Sequence, residues 1–287
     1  MLVPTFARGP PPPPDGAPRN ILAGLSRIGQ PGLFSATNAA APGKHALMFL
    51  LERNDDYARL TLDRPEARNA IPAASWVELA EKLAIVAQRD VRMLVVTGAG
   101  RTFCAGADLG DLAAMRGDEE AIARFRLEMR AALDGLRALA IPTVAVIEGA
   151  CFGAGVSLAL ACDFRIARNV CEFAITPAKL GIAFPQEDVH RLVTLVGPSQ
   201  AARLLFTAEV INGEEARTIG LVEVHGRRES ELIEAILAND RASLLALKQA
   251  IALAAEGVRS DAGQDRRFDA LIAGEEMARR LEALRRK

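Results

Sequence analysis

Two glycine-rich segments carry the residues whose types and spacing could do chemistry. One reads VVTGAGRTFCAGADL, from Val95 to Leu109, and the other VIEGACFGAGVSLALACD, from Val146 to Asp163. In the second, Gly153, Ala154 and Gly155 stand just ahead of the apolar helical run VSLALA. The first N–H groups of such a helix have no acceptor within it and face whatever lies before it, an arrangement that favours negative charge. In the first segment, the stretch Phe103 to Leu109 could bring another backbone N–H, that of Ala107, to the same point. Two backbone donors aimed at one carbonyl oxygen stabilise the charge developing there, more strongly when water is excluded. A tight turn with no ligand would ask for the same glycines, so neither segment decides the matter alone.

These segments need elements to hold them. β-type runs at Ala58–Leu62, Met93–Thr97 and Thr143–Ile147 alternate with helical patterns near Ala73–Gln88 and Glu119–Leu139, the second ending just before Pro142. That alternation predicts an α/β fold, and each glycine-rich segment follows a strand. Beyond Gly197 the patterns at Ser199–Ala208, Gly213–Ile219, Ser230–Ala255 and Gln264–Arg286 are all helical. The predicted organisation is therefore a Pro-rich extension at 1–44, an α/β core at 45–197 and a helical subdomain at 198–287. In the last helix Phe268, Leu271, Ile272, Leu281 and Leu284 recur near helical spacing and predict a face packed at a subunit boundary.

The extension holds the run Pro10–Pro14 and lacks apolar periodicity, which predicts disorder or polyproline II. Arg8, Arg19 and Arg27 against the single acid Asp15 raise a targeting role, which the prolines oppose. A start of translation at Met48 is the simpler alternative. Thirty-five Lys and Arg against 36 Asp and Glu leave no net field to attract nucleic acid or an anionic membrane. No run reaches the roughly 20 apolar residues of a membrane span. Cys104, Cys151, Cys162 and Cys171 form no CxxC pair and have no nearby set of histidines, so they read as reduced core residues of a cytoplasmic protein, with no metal site.

With LTLDRPEARNAI before them and TPAKLG after them, the two glycine-rich segments occur in the order and spacing of the enoyl-CoA hydratase/isomerase (crotonase) superfamily, which the chain resembles from about Tyr57 to Val224. The resemblance implies a spiral of ββα units with a helical C-terminal trimerisation region, assembled as a homotrimer or a dimer of trimers. It also implies an acyl-CoA substrate and no cofactor beyond the coenzyme A that the substrate carries. Carried over by position, the oxyanion-hole donors are the N–H groups of Ala107 and Ala154. Coenzyme A would contact Glu66, Arg68, Ala105 and Leu109, with Arg68 also suited to a phosphate. Phe152 and Phe184 could wall an acyl pocket, though ordinary core packing explains them as well.

The sequence departs from the superfamily where protons move. Hydratases of this group use two glutamates, and this chain carries Ser157 and Ala178 at those positions. An alkyl group has no proton to give, and an unassisted serine hydroxyl is far too weak an acid. Double-bond isomerisation needs only one proton carrier, so the reading favours an enoyl-CoA isomerase. The alternatives are a decarboxylase of malonyl-type thioesters, an atypical hydratase and a noncatalytic acyl-CoA binder. The aspartate of some isomerases aligns with Pro185, and Glu187 is the candidate base that follows it. A small shift of the loop could bring Asp188 over the substrate as well, but it reads first as a first-turn acid favoured by the helix dipole, and His190 reads as a partly buried packing residue.

Overall fold

A computed structural model describes residues 47–226 and 228–286 of the chain. The expectations for the extension at 1–44 lie outside the described residues. Strands β1 (Phe49–Asn54) and β2 (Tyr57–Leu62) pair antiparallel around the two-residue loop Asp55-Asp56. Asp55 takes φ of 39°, a left-handed conformation that aspartate tolerates better than most residues. From β2 the chain winds through α1 (Ser75–Gln88) to β3 (Met93–Gly98), then through α2 (Leu109–Ala114) and α3 (Glu119–Arg137) to β4 (Thr143–Phe152). The short helix α4 (Ala154–Ala161) leads to β5 (Phe164–Ala174), and β2, β3, β4 and β5 lie parallel in that order. Parallel neighbours require such helical crossovers.

The sheet runs further than the sequence pattern predicts. Helix α5 (Gln186–Thr207) and the short strand β6 (Ile211–Asn212) follow, with β6 antiparallel to β5. After α6 (Gly213–Thr218), strand β7 (Val224–His225) pairs parallel with β5 and completes a seven-stranded sheet. The 197/198 boundary expected between core and helical subdomain falls inside α5, at a kink where Gly197 has φ of 75° and Pro198 follows. The described residues on both sides of it belong to one compact unit.

Behind the sheet, α1 and α3 pack together through Leu79, Leu83 and Val86 on one side and Leu133 and Leu136 on the other, all buried with Trp76. Removing each such side chain from water contributes about 1.5–3 kcal/mol. Helix α3 begins where Asp118 accepts a hydrogen bond from Ala121 N at 2.9 Å. The C-terminal segments are more broken than their apolar periodicity predicts. The stretch 230–255 divides into α7 (Glu229–Leu237) and α8 (Arg241–Ala255), because Asp240 caps α8 through Ser243 N at 2.8 Å. Likewise 264–286 divides at Gly274 into α9 (Ala262–Ile272) and α10 (Glu275–Arg285). Helices α8, α9 and α10 bury no residue fully in this chain.

Candidate functional site

The glycine-rich loop after β3 is held against the end of β4 by backbone alone. Cys104 N donates to Ala150 O and Phe152 N donates to Cys104 O, both at 2.9 Å. Next along the loop, Ile71 N donates to Gly106 O at 2.8 Å and Asp108 N to Ile71 O at 2.9 Å. Peptide groups alternate in direction along an extended segment, so the N–H of Ala107, lying between those two bonds, is turned away from Ile71. It has no acceptor among the described residues.

The second loop meets the first here. Gly153 has φ of 50°, and its N–H donates to Ala174 O at 2.9 Å. Ala154 is the first residue of α4, so its N–H belongs to the end of a helix and has no acceptor within it. The two loops approach each other closely at these glycines. A Cβ added to Gly106, whose φ is 112°, would stand 3.1 Å from Phe152 O and 3.7 Å from Ala154 N. One added to Gly153 would stand 4.0 Å from Gly106 Cα and 3.6 Å from Thr176 Oγ1, which brings the TPAKLG segment to the same place. Glycine at 106 thus satisfies both the conformation and the close approach.

Several side chains stiffen this cradle. Asn69, fully buried in the left-handed conformation, donates from Nδ2 to Ala99 O at 3.0 Å and to Thr102 O at 2.7 Å, and accepts from Arg64 N at 2.9 Å. Asp108 caps α2 by accepting from Gly110 N at 2.9 Å and pairs with Arg64 at 2.7 Å. The Arg64 guanidinium holds its carboxyl below the usual aspartate range. Nothing in the sequence singled out Asn69, although it lies in a quoted motif. Its role depends on carbonyls some thirty residues away that only the fold brings near.

Of the coenzyme A contacts expected, Ala105 N donates to Arg68 O at 2.9 Å, which joins that pair directly. Arg68 is exposed and its guanidinium has no ion pair among the described residues; Glu66 is exposed on the adjoining turn Pro65–Ala67, and Leu109 is exposed at the start of α2. Phe152 ends β4 half-buried, and Phe184 is half-buried against the main core.

The residues expected to handle protons are arranged differently from the sequence reading. Glu187 lies in the first turn of α5 with its side chain 58% exposed, 3.5 Å from Arg130. Asp188 makes no capping bond and is turned inward with 0% exposure. Its Oδ1 receives Arg191 at 3.2 Å and Arg130 at 3.4 Å, while Asp134 takes the other arm of Arg191 at 2.7 Å and also pairs with Arg130 at 3.2 Å. Burial pushes the Asp188 carboxyl up, against the opposing pull of the Ser157 hydroxyl beside it and of the two arginines. Ser157 itself is 1% exposed, and Ala178 is exposed on the turn Pro177–Leu180. His190 is exposed rather than partly buried, because the face of α5 that carries it points away from the core.

All four cysteines are buried free thiols, and burial raises Cys104 and Cys162 to about 12 and Cys171 to about 11. Among the described residues no group of three or more His, Cys, Asp or Glu is placed to hold a metal ion, and no helix is long and apolar enough to cross a membrane. A groove of about 660 Å³ between α8, α9 and α10 shares no lining residue with the cradle.

Known proteins agree with this architecture. The chain matches the enoyl-CoA hydratase/isomerase family over residues 52–276. It is 36% identical over 228 residues to a crotonyl-CoA hydratase of Syntrophomonas wolfei, covering 74% of this chain and 83% of that protein. It is 32% identical over 196 residues to a peroxisomal Delta(3,5)-Delta(2,4)-dienoyl-CoA isomerase of Arabidopsis thaliana, covering 64% of this chain and 70% of that one. The crystal structure of an enoyl-CoA hydratase/isomerase family protein from Hyphomonas neptunium superposes with a TM-score of 0.77 at 30% identity, covering 83% of this chain and 94% of that one. The chain belongs to the enoyl-CoA hydratase/isomerase (crotonase) family and has its fold.

Proposed function

We propose that the protein binds acyl-CoA thioesters and stabilises their enolate between the N–H groups of Ala107 and Ala154, and that its reaction is double-bond isomerisation of an enoyl-CoA. The observation that supports this reading is the close approach of the two loops at Gly106, together with the lack of an acceptor for the N–H groups of Ala107 and Ala154 among the described residues. Backbone donors of this kind stabilise charge on an oxygen without rearranging as the reaction proceeds. The exposed Arg68, with Glu66, Ala105 and Leu109 on the adjoining surface, supports a coenzyme A site at the mouth of the cradle. We read Phe152 and Phe184, both half-buried, as the walls of its acyl pocket. The coenzyme A enters with the substrate, and the chemistry asks for no further cofactor.

Ser157 and Ala178 favour isomerisation over hydration, since a shift of the double bond moves one proton between two carbons and adds no water. The exposed apolar side chains of α8 to α10, including Leu247, Phe268, Ile272 and Leu284, support assembly through that face as a trimer or a dimer of trimers. The test is turnover of 3-enoyl-CoA, 2-enoyl-CoA and malonyl-type thioesters by the purified protein. Conversion of 3-enoyl to 2-enoyl thioester is expected. Hydration of the 2-enoyl thioester alone returns the chain to the hydratases, loss of carbon dioxide makes it a decarboxylase, and binding without turnover makes it a binder.

A further inference from the structure

We propose that Ser157 and Asp188 form the proton-carrying pair of this site, Ser157 meeting the substrate and Asp188 Oδ2 storing the proton. The inference rests on the isomerase reading above. Its starting point is an asymmetry in one carboxylate. Both arginine contacts of Asp188 go to Oδ1, whereas Oδ2 is buried and has no hydrogen-bond partner. A buried carboxylate oxygen without a partner is costly to leave so, which makes this one conspicuous. The charges around it are Arg130 and Asp134 from α3 and Glu187 and Arg191 from α5, and the neighbour from α4 is the Ser157 hydroxyl.

Ser157 is three residues beyond Ala154 in α4, so it stands one turn along the same face of the helix as the donor. The carboxylate thus reaches the position of the missing glutamate from a different helix. Burial lifts its proton affinity above that of an ordinary aspartate, the direction that suits a proton acceptor in this step. Arg130 and Arg191 hold its Oδ1 in place and oppose that rise.

Ser157 Oγ takes a proton from C2 of a 3-enoyl thioester while its own proton passes to Asp188 Oδ2, and the C–H electron pair enters the dienolate whose oxygen lies on Ala107 and Ala154. Reversal of the relay delivers a proton to C4. One C–H bond breaks, another forms, and no electrons leave the substrate.

The test compares Asp188→Asn, Asp188→Glu, Ser157→Ala and Glu187→Gln in the full chain, measuring 3-enoyl-CoA isomerisation across pH and binding of a saturated acyl-CoA. Wild-type kcat/KM is expected to rise with pH through a value above the ordinary aspartate range. Asp188→Asn is expected to lower the plateau at least roughly 10²-fold and abolish that limb, with acyl-CoA binding kept. Asp188→Glu should restore part of the rate and the limb, and Glu187→Gln should cost less than Asp188→Asn. Asp188→Asn within threefold of wild type, or Glu187→Gln costing more, overturns the proposal and leaves the isomerase reading standing. An inert wild type overturns both. If Asp188→Asn does not fold, Ser157→Ala carries the test because it alters no charge, and unchanged turnover in that variant overturns the proposal.

Discussion

The cradle at Gly106 and Gly153 and the charged cluster at Asp188 both adjoin α4, yet they are made of different material. The cradle is backbone, and glycine suits position 106 because its φ of 112° is one that L side chains rarely adopt and an added Cβ would crowd Phe152 O at 3.1 Å. The cluster is side chain, drawn from α3, α4 and α5, and its members can change identity as long as another helix supplies the group. A site built this way can keep its means of stabilising charge while the groups that move protons are exchanged.

That contrast can be broken most sharply at position 106. Gly106→Val should lower isomerase kcat/KM roughly 10²–10³-fold, the scale of losing one donor, while the protein still melts cooperatively. If the folded variant retained wild-type turnover, the close approach of the loops would have no part in function. A smaller but distinct effect is expected at α9 and α10. Phe268→Asp combined with Leu284→Asp should lower the mass seen by light scattering at micromolar concentration toward that of the 30.6 kDa chain, and a wild type already of that mass would refute assembly through this face.

Subtler still is the brace behind the cradle. Asp108 is held ionised by Arg64, so its folded pKa lies below the unfolded one. Its contribution, under about 1 kcal/mol for a pair this accessible, is complete above the ordinary aspartate range and disappears as pH falls through the depressed folded value. Denaturant midpoints of wild type and Asp108→Asn should therefore differ at pH 7 and converge on acidification. The smallest effect concerns the thiols: with Cys104 raised to about 12 and all four cysteines buried, a thiol reagent at pH 8 should label the protein only as it unfolds.

The same contrast explains what could be read in the sequence. The strands around Met93 and Thr143, and the glycines that follow them, show in local pattern because their β-branched runs and turns are local facts. Ala107 and Ala154 lie in those same local segments, and their assignment as donors is what the family resemblance implies. The 11-residue strand β5 was missed because Arg165, Arg168, Asn169 and Glu172 interrupt its apolar residues. The breaks at Asp240 and Gly274 carried cap signals that the apolar periodicity overrode. Between a first-turn acid and a base over the substrate the sequence favoured the first for Asp188, since its inward turn depends on Arg130 and Asp134 from a helix more than fifty residues away.

The central claim is that two backbone N–H groups hold an acyl-CoA enolate. Exchange of the C2 protons of a saturated acyl-CoA in deuterium oxide measures that enolate without assuming any net reaction. Wild type is expected to catalyse the exchange and Gly106→Val to lose it at saturating thioester. Equal exchange by both folded proteins, or none by a wild type saturated with acyl-CoA, would contradict it.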